Sequence, residues 1–113
     1  MHKSNTLLGP ILLLAGVFLF LCQAPLRADD SASLYHTKCA VCHAEDGSGN
    51  SVMGKKLGAK DLRSDEVQKK SDSELNDVIT NGMGKTMPAY KDKLSAGDIK
   101  GLVSYIRELA KKK

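Results

Sequence analysis

Tryptophan is absent, and both phenylalanines, Phe18 and Phe20, lie inside the one long apolar run of the chain, Leu7 to Leu21. Elsewhere the large aromatics are Tyr35, Tyr90 and Tyr105 alone. A small domain this poor in bulky side chains is marginal unless something else staples it. Cysteine is equally scarce: Cys22 sits in the apolar run, leaving Cys39 and Cys42. A zinc site would need two more ligands, and apart from His43 the histidines are only His2 and His36. No run reads as the buried strand that a thioredoxin-type dithiol needs around it. Nor is there a basic stripe interleaved with aromatics, so nothing points to nucleic acid. Most lysines alternate with acids, and Lys111-Lys112-Lys113 reads as a solvated helix end, where cations complement the dipole.

What is present is Cys39-Ala40-Val41-Cys42-His43. C-x-x-C-H is the covalent attachment signature of c-type haem. Cysteines three apart are neighbours on one helical turn, so both sulfurs reach the vinyl groups on one porphyrin edge. The histidine that follows then falls under the iron. One haem c, bound through Cys39 and Cys42 with His43 as an iron ligand, is therefore expected. Both cysteines are then consumed as thioethers, and the haem is the staple that the composition calls for.

The N-terminus reads as a targeting segment, with His2 and Lys3 before the apolar run and a polar exit ending in Ala28. Cleavage after Ala28 is expected, giving a signal peptide over 1–28 and a haem domain over 29–113. The competing reading is an uncleaved anchor, because Thr6 to Leu26 approaches the roughly 20 residues needed to span a bilayer. Export agrees with the motif, since this haem is attached outside the bacterial cytoplasm; a periplasmic protein is expected, or a membrane-anchored one facing the periplasm. About 85 residues remain after cleavage, one domain. Their excess positive charge is about two units, which two haem propionates would offset.

The domain reads as helices punctuated by glycine loops. A first helix is expected from Ser33 to about Cys42. Residues 44–60, with Gly47, Gly49, Gly54 and Gly58, read as a loop wrapping one haem edge. Ser71-Asp72-Ser73-Glu74 is a capping box opening a helix with Leu75, Val78 and Ile79 on one face, stopped by Asn81-Gly82 as a left-handed cap. Ser95 to Asp98 caps a last helix whose apolar face is Ile99, Leu102, Val103, Ile106, Leu109 and Ala110.

The second face of the haem falls to Met87. It lies 44 residues after His43 in a non-helical stretch, and Pro88 holds it to extended backbone angles. Sulfur suits both iron oxidation states, and His/Met ligation raises the potential. Met53 and Met83 are expected to be fillers or loop residues. His36, two turns before His43, belongs to the proximal side.

The chain resembles the small soluble class I cytochromes c of the bacterial c6, c-551 and c-555 range over residues 31–110. The resemblance is carried by Cys39-Ala40-Val41-Cys42-His43, Asp46-Gly47-Ser48-Gly49, Ile79-Thr80-Asn81-Gly82, Met87-Pro88-Ala89-Tyr90 and Leu102-Val103-Ser104-Tyr105-Ile106. It implies an all-α fold, three main helices and glycine-rich loops around one haem, the first and last helices crossing near perpendicular. It also places Tyr35, Pro88, Leu102 and Tyr105 in the haem pocket. Many members have Gly-Pro after the haem motif, the proline carbonyl accepting from the proximal imidazole. Asn50 to Leu57 holds no proline, so another backbone carbonyl nearby, for example in the Val52–Gly54 turn, is expected to serve, without the residues naming which.

The function implied is single-electron shuttling by a monomer, not an enzyme, that docks transiently with an oxidase, reductase or dehydrogenase. Lys55, Lys56, Lys85, Lys91 and Lys93 either bias that docking or merely solubilise the surface. The alternative is an open-site haem enzyme or a gas-binding sensor. C-type haem peroxidases usually carry two C-x-x-C-H motifs, and here there is one. A third reading, an electron module tethered beside an oxidase or dehydrogenase, depends on retention of the N-terminal segment.

Overall fold

Serine side chains begin four of the helices, and in each case the reason is local. An exposed N-terminal turn leaves backbone N–H groups without partners, and a hydroxyl at the N-cap accepts from one of them. In the computed structural model, which describes residues 28–113, Ser51, Ser64, Ser71 and Ser95 accept from Gly54, Val67, Glu74 and Asp98. At Ser71 and Ser95 the third helical residue, Glu74 or Asp98, reaches back to the cap N–H, completing the box in both directions.

The helices are α1 (Ala28–Lys38), α2 (Ala40–His43), α3 (Val52–Leu57), α4 (Asp65–Gln68), α5 (Asp72–Asn81) and α6 (Ala96–Lys111). Three are long and three are short; among the described residues there is no strand, only the isolated antiparallel bridge between Met83 and Met87. The apolar face of α6 (Ile99, Leu102, Val103, Ile106, Leu109) is buried against Tyr35 of α1 and against Leu75 and Ile79 of α5. At about 1.5–3 kcal/mol for each large side chain removed from water, this three-helix contact is the main source of cohesion outside the haem. No helix among the described residues is long and apolar enough to cross a membrane. The expected signal segment, and the anchor that competes with it, lie outside the described residues apart from Ala28, the first residue of α1.

Three local expectations are corrected, and one helix appears that the sequence reading did not include. The first helix starts at Ala28 rather than Ser33 and is interrupted at Cys39, whose φ widens to −115° before α2 resumes. Residues 44–60 are not all loop, because α3 forms inside them. Its Gly54 is there for close approach: a Cβ would run into the Cys42 and Gly49 carbonyl oxygens. Ser51 fastens the same contact, its hydroxyl donating to the Val41 and Cys42 carbonyls at 2.8 and 2.9 Å. Gly82 is a positive-φ stop for α5, but with φ 75° and ψ −179° it is extended, not left-handed helical. Finally, α4 sits where the sequence shows no helical pattern. It is held from outside: the Arg107 guanidinium of α6 donates to the Gln68 and Lys70 carbonyls (3.1 and 2.6 Å) and to Asp72 Oδ1 (2.9 Å). The Gln68 side-chain amide in turn donates to the Leu62 carbonyl at 2.7 Å. This clasp ties the α4–α5 connection to α6.

Candidate haem site

Two adjoining hollows of about 160 and 200 Å³ form one cleft between the α2 turn and the 83–90 segment, and Cys39, His43, Lys60, Met83, Met87 and Tyr90 border both. Leu75, Ile79, Leu102 and Ile106 line the deeper hollow, so the cleft opens directly onto the apolar core. A flat apolar group entering it would finish a core that the side chains leave incomplete.

One wall carries the C-x-x-C-H turn. Cys39 is the N-cap of α2, with Cys42 and His43 in the single turn that follows. His43 Nδ1 lies 3.0 Å from the Lys60 carbonyl oxygen. A carbonyl can only accept, so Nδ1 carries the proton and Nε2 is the nitrogen left with a lone pair. The acceptor is thus Lys60, and the expectation of a carbonyl in the Val52–Gly54 turn is corrected: that turn is spent on α3, with Gly54 packed on the Cys42 carbonyl. The chain returns to His43 only after the Gly58 cap, and the Lys60 side chain is anchored by Glu66 at 3.0 Å.

Burial, and then the neighbouring Cys42, push the Cys39 thiol up to about 11. A reactive dithiol needs the opposite, a depressed thiol pKa. Among the described residues no three His, Cys, Asp or Glu side chains are grouped to hold a bare metal ion. Two thiols beside an imidazole whose Nδ1 proton is fixed, facing a thioether across an apolar cleft, have instead the chemistry that fits a covalently held haem.

The other wall is the 83–90 segment. Met87 is half-buried against the core, and its backbone exchanges two hydrogen bonds with Met83, at 3.0 and 3.2 Å. Pro88 lines the outer hollow. Tyr90 closes the end of the cleft, its hydroxyl donating to the Lys38 carbonyl at 3.0 Å and its N–H to the Ile79 carbonyl at 3.0 Å. Met53 and His36 line neither hollow; Met53 is exposed on α3, and His36 faces Glu45 at 2.6 Å on the surface.

Tyr35 and Leu102 line the deeper hollow and, among the described residues, are the large side chains buried most completely. Tyr105 lines neither hollow. It stands behind Tyr35, ring centroids 5.0 Å apart and tilted by 47°, and supports the pocket at one remove. The Tyr35 hydroxyl donates to the Ala44 carbonyl at 2.7 Å, and burial pushes its pKa far above the phenol range. Ala44 has φ 65°, rare for a residue with a side chain, so this bond holds a strained exit from the haem motif. Tyr35→Phe should cost about 0.5–1.5 kcal/mol, the net worth of one hydrogen bond, since the part-buried Ala44 carbonyl keeps the bond it accepts from the Gly47 N–H at 3.1 Å. The denaturation midpoint of the haem-loaded protein measures it, and an unchanged midpoint would mean that Ala44 is held by other contacts.

Sequence reasoning missed Lys60 and Tyr90 as site residues. Lys60 contributes through its main chain, which leaves no sequence signal. Tyr90 was visible only as a neighbour of Met87-Pro88.

The family described as cytochrome c oxidase, cbb3-type, subunit III matches residues 26–106. The cytochrome c6 of Microcystis aeruginosa is 33% identical over 86 residues, covering 74% of this chain and 98% of that protein. The cbb3-type oxidase subunit FixP of Azorhizobium caulinodans is 36% identical over 83 residues, 73% of this chain. The chain spans only about a quarter of such oxidase subunits, 27% of FixP and 28% of CcoP from Azospirillum brasilense. Among solved structures, the KustC0563 c-type cytochrome superposes with a TM-score of 0.65 at 32% identity, over 70% of this chain and 95% of that one.

Proposed function

From the premise that this chain belongs to the small mono-haem class I cytochromes c and carries one covalently bound haem c, we propose that it is a periplasmic single-electron carrier. Cys39 and Cys42 would hold the haem covalently, and His43 and Met87 would supply the nitrogen and the sulfur that bind its iron. The observation that carries this reading is the cleft itself: an imidazole oriented by Lys60 on one wall and a half-buried thioether on the other. Haem, when bound, supplies a one-electron couple. The protein keeps that couple's surroundings fixed. The Lys60 carbonyl orients His43, Tyr90 ties the Met87 segment to the end of α1, and the apolar floor excludes water. With both side chains engaged the iron would offer no position to a substrate, so no enzymatic reaction is assigned.

Docking is read as brief and small in area, as for redox encounters generally. The stretches bordering the outer hollow carry Lys38, Lys55, Lys56 and Lys85, with no acid in 34–43, 50–60 or 83–91. That favours a partner surface of opposite sign. Export rests on the apolar run Leu7 to Leu21. The oxidase-subunit match supports a second reading, a tethered module beside an oxidase; a membrane-bound chain still beginning at Met1 would favour it.

Carbon monoxide tests the capped iron. The reduced holoprotein should bind it slowly and weakly at neutral pH, whereas rapid tight binding would favour the open-site enzyme or sensor.

A further inference from the structure

We propose that Met83 is a second thioether ligand in waiting, able to take the iron position assigned above to Met87; the inference rests on that assignment. Met83 and Met87 are directly opposed across the antiparallel bridge, each N–H donating to the other's carbonyl, at 3.0 and 3.2 Å. A pair that exchanges both bonds has its Cα atoms about 5.5 Å apart, and directly opposed side chains stand on the same face of the ladder. Both residues accordingly border both hollows of the cleft.

The two differ in commitment. Met87 is packed against the core, whereas Met83 is 51% exposed, so its side chain can move without opening a core cavity. Methionine has three rotatable bonds and adapts to irregular space, enough reach to cover the offset between paired residues. The other candidates are worse placed. Met53 lies off the cleft on α3, His36 is engaged with Glu45 off the cleft, and Lys60 is paired with Glu66. Lys38 borders the outer hollow, but an amine offers no sulfur and gives a different spectrum. Displacement of Met87 would then leave the iron capped rather than open to outside ligands.

Four holoproteins decide it: the unaltered protein, Met83→Leu, Met87→Leu and the double variant. The covalent links keep haem in place whatever the axial ligand, and Met87→Ala repeats the test should leucine disturb the loop. The weak red-end sulfur-to-iron band of the oxidised form is read in each. It should be unchanged in Met83→Leu, persist with altered position or strength in Met87→Leu, and vanish in the double variant. Loss of the band in Met87→Leu overturns the inference and leaves Met87 as ligand. Loss in Met83→Leu with retention in Met87→Leu, or no band in the unaltered protein, overturns both the inference and the Met87 assignment. Retention in the double variant would put the sulfur elsewhere and overturn the inference.

Discussion

Replacing Cys39 and Cys42 together by alanine should give a protein with no covalently bound haem, colourless after denaturing electrophoresis, with most of its helical circular dichroism lost. Both effects have one cause. The cleft is floored by Leu75, Ile79, Leu102 and Ile106, and without a tethered plate these side chains face an incomplete interior. The residues that would have to compensate are few, since tyrosine is the only large aromatic outside the N-terminal run. A domain of this size rarely draws more than about 3–5 kcal/mol from one core, so losing its staple brings it near the folding threshold. Retention of haem stain in the double variant would mean that the attachment lies elsewhere. A fully helical haem-free protein would mean that the three-helix contact suffices alone.

Gly82→Ala should be nearly as damaging, although the side chain gained is one methyl group. A Cβ there would lie 2.6 Å from the Met87 carbonyl oxygen, 2.8 Å from the Ala89 nitrogen and 2.9 Å from the Pro88 carbonyl carbon. All three are backbone atoms of the segment that presents Met87, so none can swing aside as a side-chain tip would. The backbone there, φ 75° and ψ −179°, is a region reached essentially by glycine alone. Strain of about 1–3 kcal/mol and a similar overpacking cost add to a loss of roughly 2–6 kcal/mol. Relief requires moving the Met87 carbonyl, which breaks the bond it accepts from the Met83 N–H. Denaturation of the oxidised holoprotein should therefore show a large drop in midpoint together with a weakened sulfur-to-iron band. A midpoint within about 0.5 kcal/mol of the parent, as for an ordinary surface change, would show that the 83–90 segment is not held as described.

How much of this was legible from the residues follows the range of the interactions involved. The caps at Ser71 and Ser95 were readable because a capping box is closed within four residues. The apolar face of α6 was readable because its periodicity is strong over 16 residues. The cysteine pair and histidine were readable because attachment chemistry dictates their spacing. By contrast α3 was hidden, since Gly54 looks like a helix breaker until the Cys42 carbonyl is seen packed against it. Only the long-range clasp from Arg107 explains α4. The acceptor for His43 was out of reach altogether: any residue can offer a carbonyl, and only the path of the chain after Gly58 puts that of Lys60 in place.

The visible spectrum of the exported protein, recorded oxidised and then reduced, bears most directly on an iron held between His43 and Met87. Low-spin haem c in both states, with a weak red-end sulfur-to-iron band in the oxidised form, is the predicted result. A high-spin spectrum in either state would contradict it, because one face of the iron would then lack its protein ligand.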